Sequence, residues 1–172
     1  AALGTMVANL SAHKRGWDDR WEEFSDWAER GKACHDELTS LIDEDTAAFD
    51  AVLAAHRLPA GSPEEEAARD EAIAAATRHA TEVPLEVMET AAASFEVLAA
   101  MAETGLESSV SDAGVGALLA TAAVRGAGLN VRINAAGLDG GADLVARAEA
   151  LEQQAADAEE AVLARVRERI DG

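Results

Sequence analysis

From Glu37 to His56 the chain contains no Pro and no Gly, and its apolar residues recur at spacings of three and four. That is the period of one face of an α-helix. Cys34, Leu38, Leu41, Asp45, Phe49, Val52 and His56 share the face, and Asp43, Glu44 and Asp50 project to its flanks or back. A helix patterned in this way has to be covered by other elements. It also places one carboxylate, Asp45, within the apolar stripe between Leu41 and Phe49. A carboxylate in such a position is costly unless it is paired, neutralised or used.

Composition extends the helical reading to the whole chain. Hydrophobic residues make up 49% of the 172, enough for one core, and aromatics only 3%, with no Tyr. Ala supplies much of the apolar content, so close helix packing is expected, and a β-rich fold lacks its usual residues. The expected fold class is therefore all-α, a multihelical bundle of long helices within one domain spanning 1–172. A net charge of −19 disfavours nucleic acid and anionic membrane surfaces as partners, since both require Lys and Arg. One Cys, Cys34, forms no internal disulfide, and no signal peptide is evident, so a cytoplasmic location is expected.

Taken in order, Ala1 to Leu10 reads as a buried apolar helix. Ser11 to Gly16 is a connection in which Lys14 and Arg15 form a positive cluster: helix-end charge, or a clamp for an anion. The main helix should run from about Asp18 to His56, with Trp17, Trp21 and Phe24 packing at its entry. Ser62-Pro63-Glu64-Glu65 is a helix start with a capping box. Pro84 should break or kink the helix that follows, with a further helix from about Leu85 to Glu103. Ser111-Asp112 is expected to cap a helix rich in small residues that ends in Asn130-Val-Arg-Ile-Asn134. A last amphipathic helix should run from about Ala142 to Ile170.

No phosphate-binding Gly-rich loop, zinc motif or nucleophile elbow is present. What remains is carboxylate chemistry without metal, together with amides and a few cations. Asp45 stands first, as a paired core carboxylate or a working acid. Asp112 is either a cap or a site residue. Asn130 and Asn134 are either backbone partners or ligand contacts.

Asp45-Thr-Ala-Ala-Phe49, Arg57-Leu-Pro59, Val83-Pro-Leu85, Ser111-Asp112 and Gly126-Ala-Gly-Leu-Asn-Val-Arg-Ile-Asn134 occur in that order. The series resembles the cyclodeaminase domain of formiminotransferase-cyclodeaminase, a domain shared with methenyltetrahydrofolate cyclohydrolases. Leu10 to Trp17 looks most like the bacterial two-domain form. The resemblance implies an all-helical, dimer-forming domain, preceded in a longer bifunctional chain by a formiminotransferase and by a Gly-rich segment ahead of Ala1. It implies release of ammonia from 5-formiminotetrahydrofolate to give 5,10-methenyltetrahydrofolate, in histidine degradation. No cofactor is implied beyond tetrahydrofolate as the carrier of the one-carbon unit.

In that resemblance the catalytic aspartate falls on Asp45. Lys14, Arg15 and Arg132 become candidates for the anionic tail of the folate, and Asp112 and Asn134 for polar contacts with it. Family members commonly have Gly-Asn before the Ser-Asp step, where this chain has Gly105-Leu106. The alternatives are the cyclohydrolase reaction and, from another class, a non-catalytic helical dimerisation domain.

Overall fold

The computed structural model describes residues 1–172. It consists of helices α1 (Ala2–Ala12), α2 (Trp21–His56), α3 (Pro63–Thr104), α4 (Val110–Ala135) and α5 (Gly141–Asp171), with single 3-10 turns at Asp18–Arg20 and Glu107–Ser109. There are no strands, as the composition requires.

Helix α3 is the axis of the bundle. Its 42 residues span about 63 Å at 1.5 Å per residue. Helices α2, α4 and α5 all pack on it, and α1 lies in the angle between α2 and α4. The core runs along α3 through Met88, Phe95, Leu98 and Met101 and meets Val7, Phe24, Val124, Val131 and Val162 from the other four helices. Each side chain of this size stabilises the fold by about 1.5–3 kcal/mol when fully buried.

The sequence places the start of α3 correctly. The Ser62 hydroxyl accepts the Glu65 N–H at 3.2 Å, and Pro63 opens the first turn. The return bond of the box goes one residue further out: the Glu65 carboxylate accepts the Gly61 N–H at 2.8 Å.

Pro84 does not end this helix. α3 continues unbroken from Pro63 to Thr104, so the expected division at Leu85 is corrected. The reason lies in a neighbour. Pro84 has no N–H to offer the carbonyl four residues back, that of Ala80. The side-chain amide of Asn134, on α4, donates to that carbonyl at 2.7 Å instead.

Two other boundaries differ from expectation. The main helix begins at Trp21, after the 3-10 turn. Ser111 and Asp112 lie inside the first turn of α4 instead of capping it, because the Glu107–Ser109 turn leads directly into the helix and leaves Ser109 at the cap.

Candidate functional site

The expectation for Asp45 was a semi-buried acid within a core-facing stripe. The structure corrects the burial. Asp45 is exposed and makes no hydrogen bond or ion pair. At this level α2 touches α3 through Leu41 and Ala48, and Ala55, a further seven residues on, is buried as well. Asp45 sits at the margin of that line, and Phe49 lies beyond it at 60% exposure. A seven-residue seam drifts against a helix of 3.6 residues per turn. The Leu41–Asp45–Phe49 row therefore turns out of the contact and onto the side of α2.

That side forms one wall of a groove. Its floor is α3 and its opposite wall is α4. A cavity of about 220 Å³ lies at the end of it that α1 closes, lined by Ala2 and Leu3 of α1, Leu38 of α2, Ala91 and Ser94 of α3, and Leu119 of α4 among others. Leu38 precedes Asp45 by two turns on the same wall. On the other side of Asp45, Leu41 and Ala48 cluster with Ala80 and Val83 of α3. Ala80 is also the residue whose carbonyl Asn134 holds. The structure thus brings Asp45 and Asn134 to the same stretch of α3, from α2 and α4 respectively. Asn134 uses its amide nitrogen on Ala80, and its side-chain carbonyl oxygen has no protein partner. Asn130, one turn back on α4, is exposed.

The other expected site residues lie elsewhere. Lys14 stacks its ammonium over the Trp17 ring, 3.9 Å from the centroid. Trp17 in turn stacks on Phe24 at 5.5 Å, with Arg20 over the Phe24 ring at 4.4 Å. This cluster pins the α1–α2 corner, and Arg15 is exposed beside it. From that corner to Asp45 is about 36 Å of helix. Within one chain, Lys14 and Arg15 are not brought to the groove.

Arg132 faces α5. Its guanidinium holds the Glu152 carboxylate through two bonds of 2.7 Å and also donates to the Gly128 carbonyl at 3.1 Å. The pair holds the Glu152 carboxyl below its ordinary range and raises Arg132 above its own. Gly128 makes room for the pair: a Cβ there would stand 2.3 Å from Glu152 Oε1. Asp112 is half-buried at the far end of α4 from Asn134.

The largest cavity, about 510 Å³, lies between α3 and α5. Phe95 and Val162 are among its apolar lining, and Glu96, Glu103 and Arg165 stand at it. None of the expected site residues reaches it. Ligand pockets are commonly 300–1,000 Å³. The cavity at Leu38 is smaller than that, and Asp45 does not line it.

Sequence reasoning missed the α4 wall, Leu119 and Ala123, and the exposure of Ile42 beside Asp45. The signal was present. α4 is apolar on nearly every face, which a helix covered on one side does not need. It is also the one helix long and apolar enough to cross a membrane, yet Ala113, Ala117, Val124 and Val131 on its inner face are buried in the bundle.

Fold and groove together define a class: an all-helical bundle with an apolar cavity where four helices meet and an unpaired, exposed carboxylate two turns along one of them. Residues 1–160 match the family model described as formiminotransferase-cyclodeaminase. The chain belongs to the formiminotransferase-cyclodeaminase family. It is 38% identical to a methenyltetrahydrofolate cyclohydrolase of Methylorubrum extorquens over 158 residues, covering 92% of this chain and 76% of that protein. It is 36% identical to the formimidoyltransferase-cyclodeaminase of Rattus norvegicus over 134 residues, covering 78% of this chain and 25% of the much longer relative. The crystal structure of a formiminotetrahydrofolate cyclodeaminase from Thermotoga maritima superposes with a TM-score of 0.82 over 98% of this chain and 82% of that one, at 24% identity, which establishes the shared fold.

Proposed function

We propose that the chain is an enzyme of the tetrahydrofolate one-carbon unit, acting as a homodimer at the carbon that bridges two folate nitrogens. The first reading is the cyclodeaminase reaction. N10 of 5-formiminotetrahydrofolate attacks the formimino carbon on N5, the N10–C bond forms, the C–NH₂ bond breaks, and ammonia leaves with the methenyl bridge closed. Asp45 takes the proton from the attacking N10 and returns one to the departing nitrogen. Its negative charge also stabilises the cationic formiminium and methenyl groups. Folate already holds the two nitrogens close together, so the protein's remaining task is to orient the ligand and exclude water.

The observation that carries this reading is the state of Asp45. It is an exposed carboxylate with no partner in the chain, two helical turns along α2 from Leu38, which lines an apolar cavity, within a chain of this family. Asn134 stands on the opposite wall with an unused carbonyl oxygen suited to a ring N–H of a pterin.

A second reading is favoured by one finding, the similarity to the Methylorubrum extorquens cyclohydrolase over most of both chains. In that reaction water adds to the methenyl carbon, Asp45 accepts its proton, and the C–N5 bond opens to leave 10-formyltetrahydrofolate. A paired assay separates the two readings: the purified chain is given 5-formiminotetrahydrofolate and 5,10-methenyltetrahydrofolate in turn, with ammonia and the methenyl absorbance followed. Ammonia release supports the first reading. Loss of methenyl absorbance without ammonia supports the second. Turnover of neither rejects both. A cytoplasmic location, a place in histidine degradation and a formiminotransferase domain in the same polypeptide go with the first reading and are part of the proposal.

A further inference from the structure

Phe49 is the exposed member of the chain's three Phe residues. Phe24 and Phe95 are buried, whereas Phe49 is 60% exposed, and its ring neither stacks on another ring nor lies under a cation. It does not stand alone. Ile42 is 65% exposed and Leu53 38%, and the helical period sets both on the same flank of α2 as Phe49. The back and the other flank of that stretch carry Asp43, Glu44 and Asp50, and Glu44 reaches to 3.9 Å from His79 of α3. A scattered apolar residue needs no explanation, but a row confined to one side of a helix marks a contact.

Asp45 is the one charge in this row. Four residues separate it from Phe49, which sets their Cβ atoms about 5–6 Å apart. Long side chains on a helix lean toward its N-terminus. The Phe49 ring therefore leans over the turn that carries Asp45, whereas Ile42, one turn before, leans away from it. Neighbouring groups do not compete for the carboxylate: Asp45 has no partner in the chain, and Thr46 donates its hydroxyl to the Ile42 carbonyl at 3.1 Å. The outcome is a free carboxylate with an aromatic face on one side and an aliphatic one on the other.

A one-carbon folate has the complementary outline. Its one-carbon unit is the joint between a flat pteridine and a p-aminobenzoyl ring, and the joint is cationic in the formimino and methenyl forms. A carboxylate at such a joint needs apolar support for a ring on each side. The larger ring gains most from the aromatic support, because stacking adds to what area burial alone supplies. The negative face of the Phe ring also favours a positive charge beside it, in the same sense as Asp45.

We propose that Phe49 is the shelf for the pteridine ring of the folate, and that the ring stacked on it sets the one-carbon unit at the Asp45 carboxylate, with Ile42 under the p-aminobenzoyl side. This rests on the function proposed above and adds to it the residue that places the substrate. The two residues have separate tasks. Asp45 acts on the reacting atoms. Phe49 holds a part of the substrate that the reaction leaves unchanged, so its contact is equal in the ground state and the transition state.

Substitution at Phe49 tests the shelf. Phe49→Ala should raise KM, and the Kd for 5-formyltetrahydrofolate measured by calorimetry, by about tenfold or more, the scale of losing one stacked aromatic ring. Loss of uniform binding leaves kcat within about twofold. Phe49→Trp restores a ring face and should recover most of the loss, and its added emission should be quenched by the ligand. Phe49→Leu is apolar without a ring and should recover little. Ile170→Ala, equally exposed at the end of α5, should move neither constant. Circular dichroism should match the parent chain throughout, since Phe49 lies outside both core clusters. A Kd unmoved by Phe49→Ala, recovery by Leu as full as by Trp, or a loss confined to kcat would overturn the shelf. A Phe49→Ala chain that differs only in its sedimentation would overturn it too, and make Phe49 a protein contact.

The two halves of folate test which ring the shelf carries. Inhibition by 6-methyltetrahydropterin should weaken in Phe49→Ala, and inhibition by p-aminobenzoylglutamate in Ile42→Ala. The reverse pattern, or no pterin inhibition of the parent chain, would overturn the assignment of the pteridine to Phe49. A parent chain that binds 5-formyltetrahydrofolate through Phe49 yet turns over neither substrate would uphold the shelf and reject the reaction. A parent chain that binds no folate would reject both.

Discussion

Asn134 donates its side-chain amide to the carbonyl of Ala80 at 2.7 Å, the carbonyl that Pro84 leaves without a helical partner. One bond thereby keeps α3 continuous through a proline, ties the end of α4 to the middle of α3, and fixes the polar corner opposite Asp45. Replacing Asn134 by Ala leaves a buried carbonyl unpaired, at a cost of about 1–3 kcal/mol. In a Pro84→Ala background the restored N–H can serve Ala80, so the cost of Asn134→Ala should fall well below 1 kcal/mol. Urea unfolding of the four proteins in this cycle measures the coupling. Equal costs in the two backgrounds would reject the account.

This bond marks how much of the fold was legible beforehand. The helices around Leu41, Ser62 and Leu144 follow from local periodicity and capping, and those elements lie close to where the sequence puts them. Pro84 misled because its effect is local only when no neighbour intervenes, and Asn134 is 50 residues away in sequence. The site was legible as a set of residue types more than as a place. Asp45 stood out as an acid in an apolar row, but its exposure depends on which row of α2 meets α3. Leu41 and Ala48 make that contact, where the small side chains of Ala48 and Ala80 let α2 approach α3 closely. Lys14 and Arg15 stood out by charge alone, which carries no information about distance.

The Lys14 ammonium has work to do at the α1–α2 corner. Its stacking on Trp17 should contribute about 0.5–1 kcal/mol. Lys14→Ala should lower the unfolding midpoint by that amount and shift Trp emission, while folate affinity stays within about twofold, well inside the tenfold that 1.4 kcal/mol represents. A variant of unchanged stability but weakened folate binding would return Lys14 to the anion clamp.

The Arg132–Glu152 pair gives the bundle an acid dependence of known sign. Glu152 titrates below its ordinary 4.5 in the folded chain because Arg132 bonds its carboxylate. The unfolded chain therefore takes up that proton first as pH falls. The stabilisation is present in full above about pH 4.5 and is lost as pH drops through the lower folded value. Glu152→Gln should flatten the stability profile below pH 4.5 relative to wild type, as thermal unfolding across pH 3–6 would show. An unaltered slope would mean that the pair contributes nothing.

Gly116 and Gly126 sit on the same helix and should respond oppositely to Ala. At Gly116 the new methyl meets Leu98, which is fully buried and held by the core. Overpacking of this kind costs about 1–3 kcal/mol, more than the helix propensity gained. At Gly126 the methyl meets open space, so Gly126→Ala should raise stability by up to about 1 kcal/mol. Calorimetric midpoints of the two variants decide the matter; a loss at Gly126 would mean that the space there is filled.

The account stands on Asp45 as the group that moves a proton at the one-carbon unit. The most direct test is turnover by Asp45→Asn, an isosteric change at an exposed position that leaves the fold intact. With 5-formimino- and 5,10-methenyltetrahydrofolate as substrates, the rate should fall by about a hundredfold or more, the scale of losing a general acid–base group, with unchanged circular dichroism. Near wild-type turnover of the folate that the parent chain consumes would remove Asp45 from the chemistry and contradict the account.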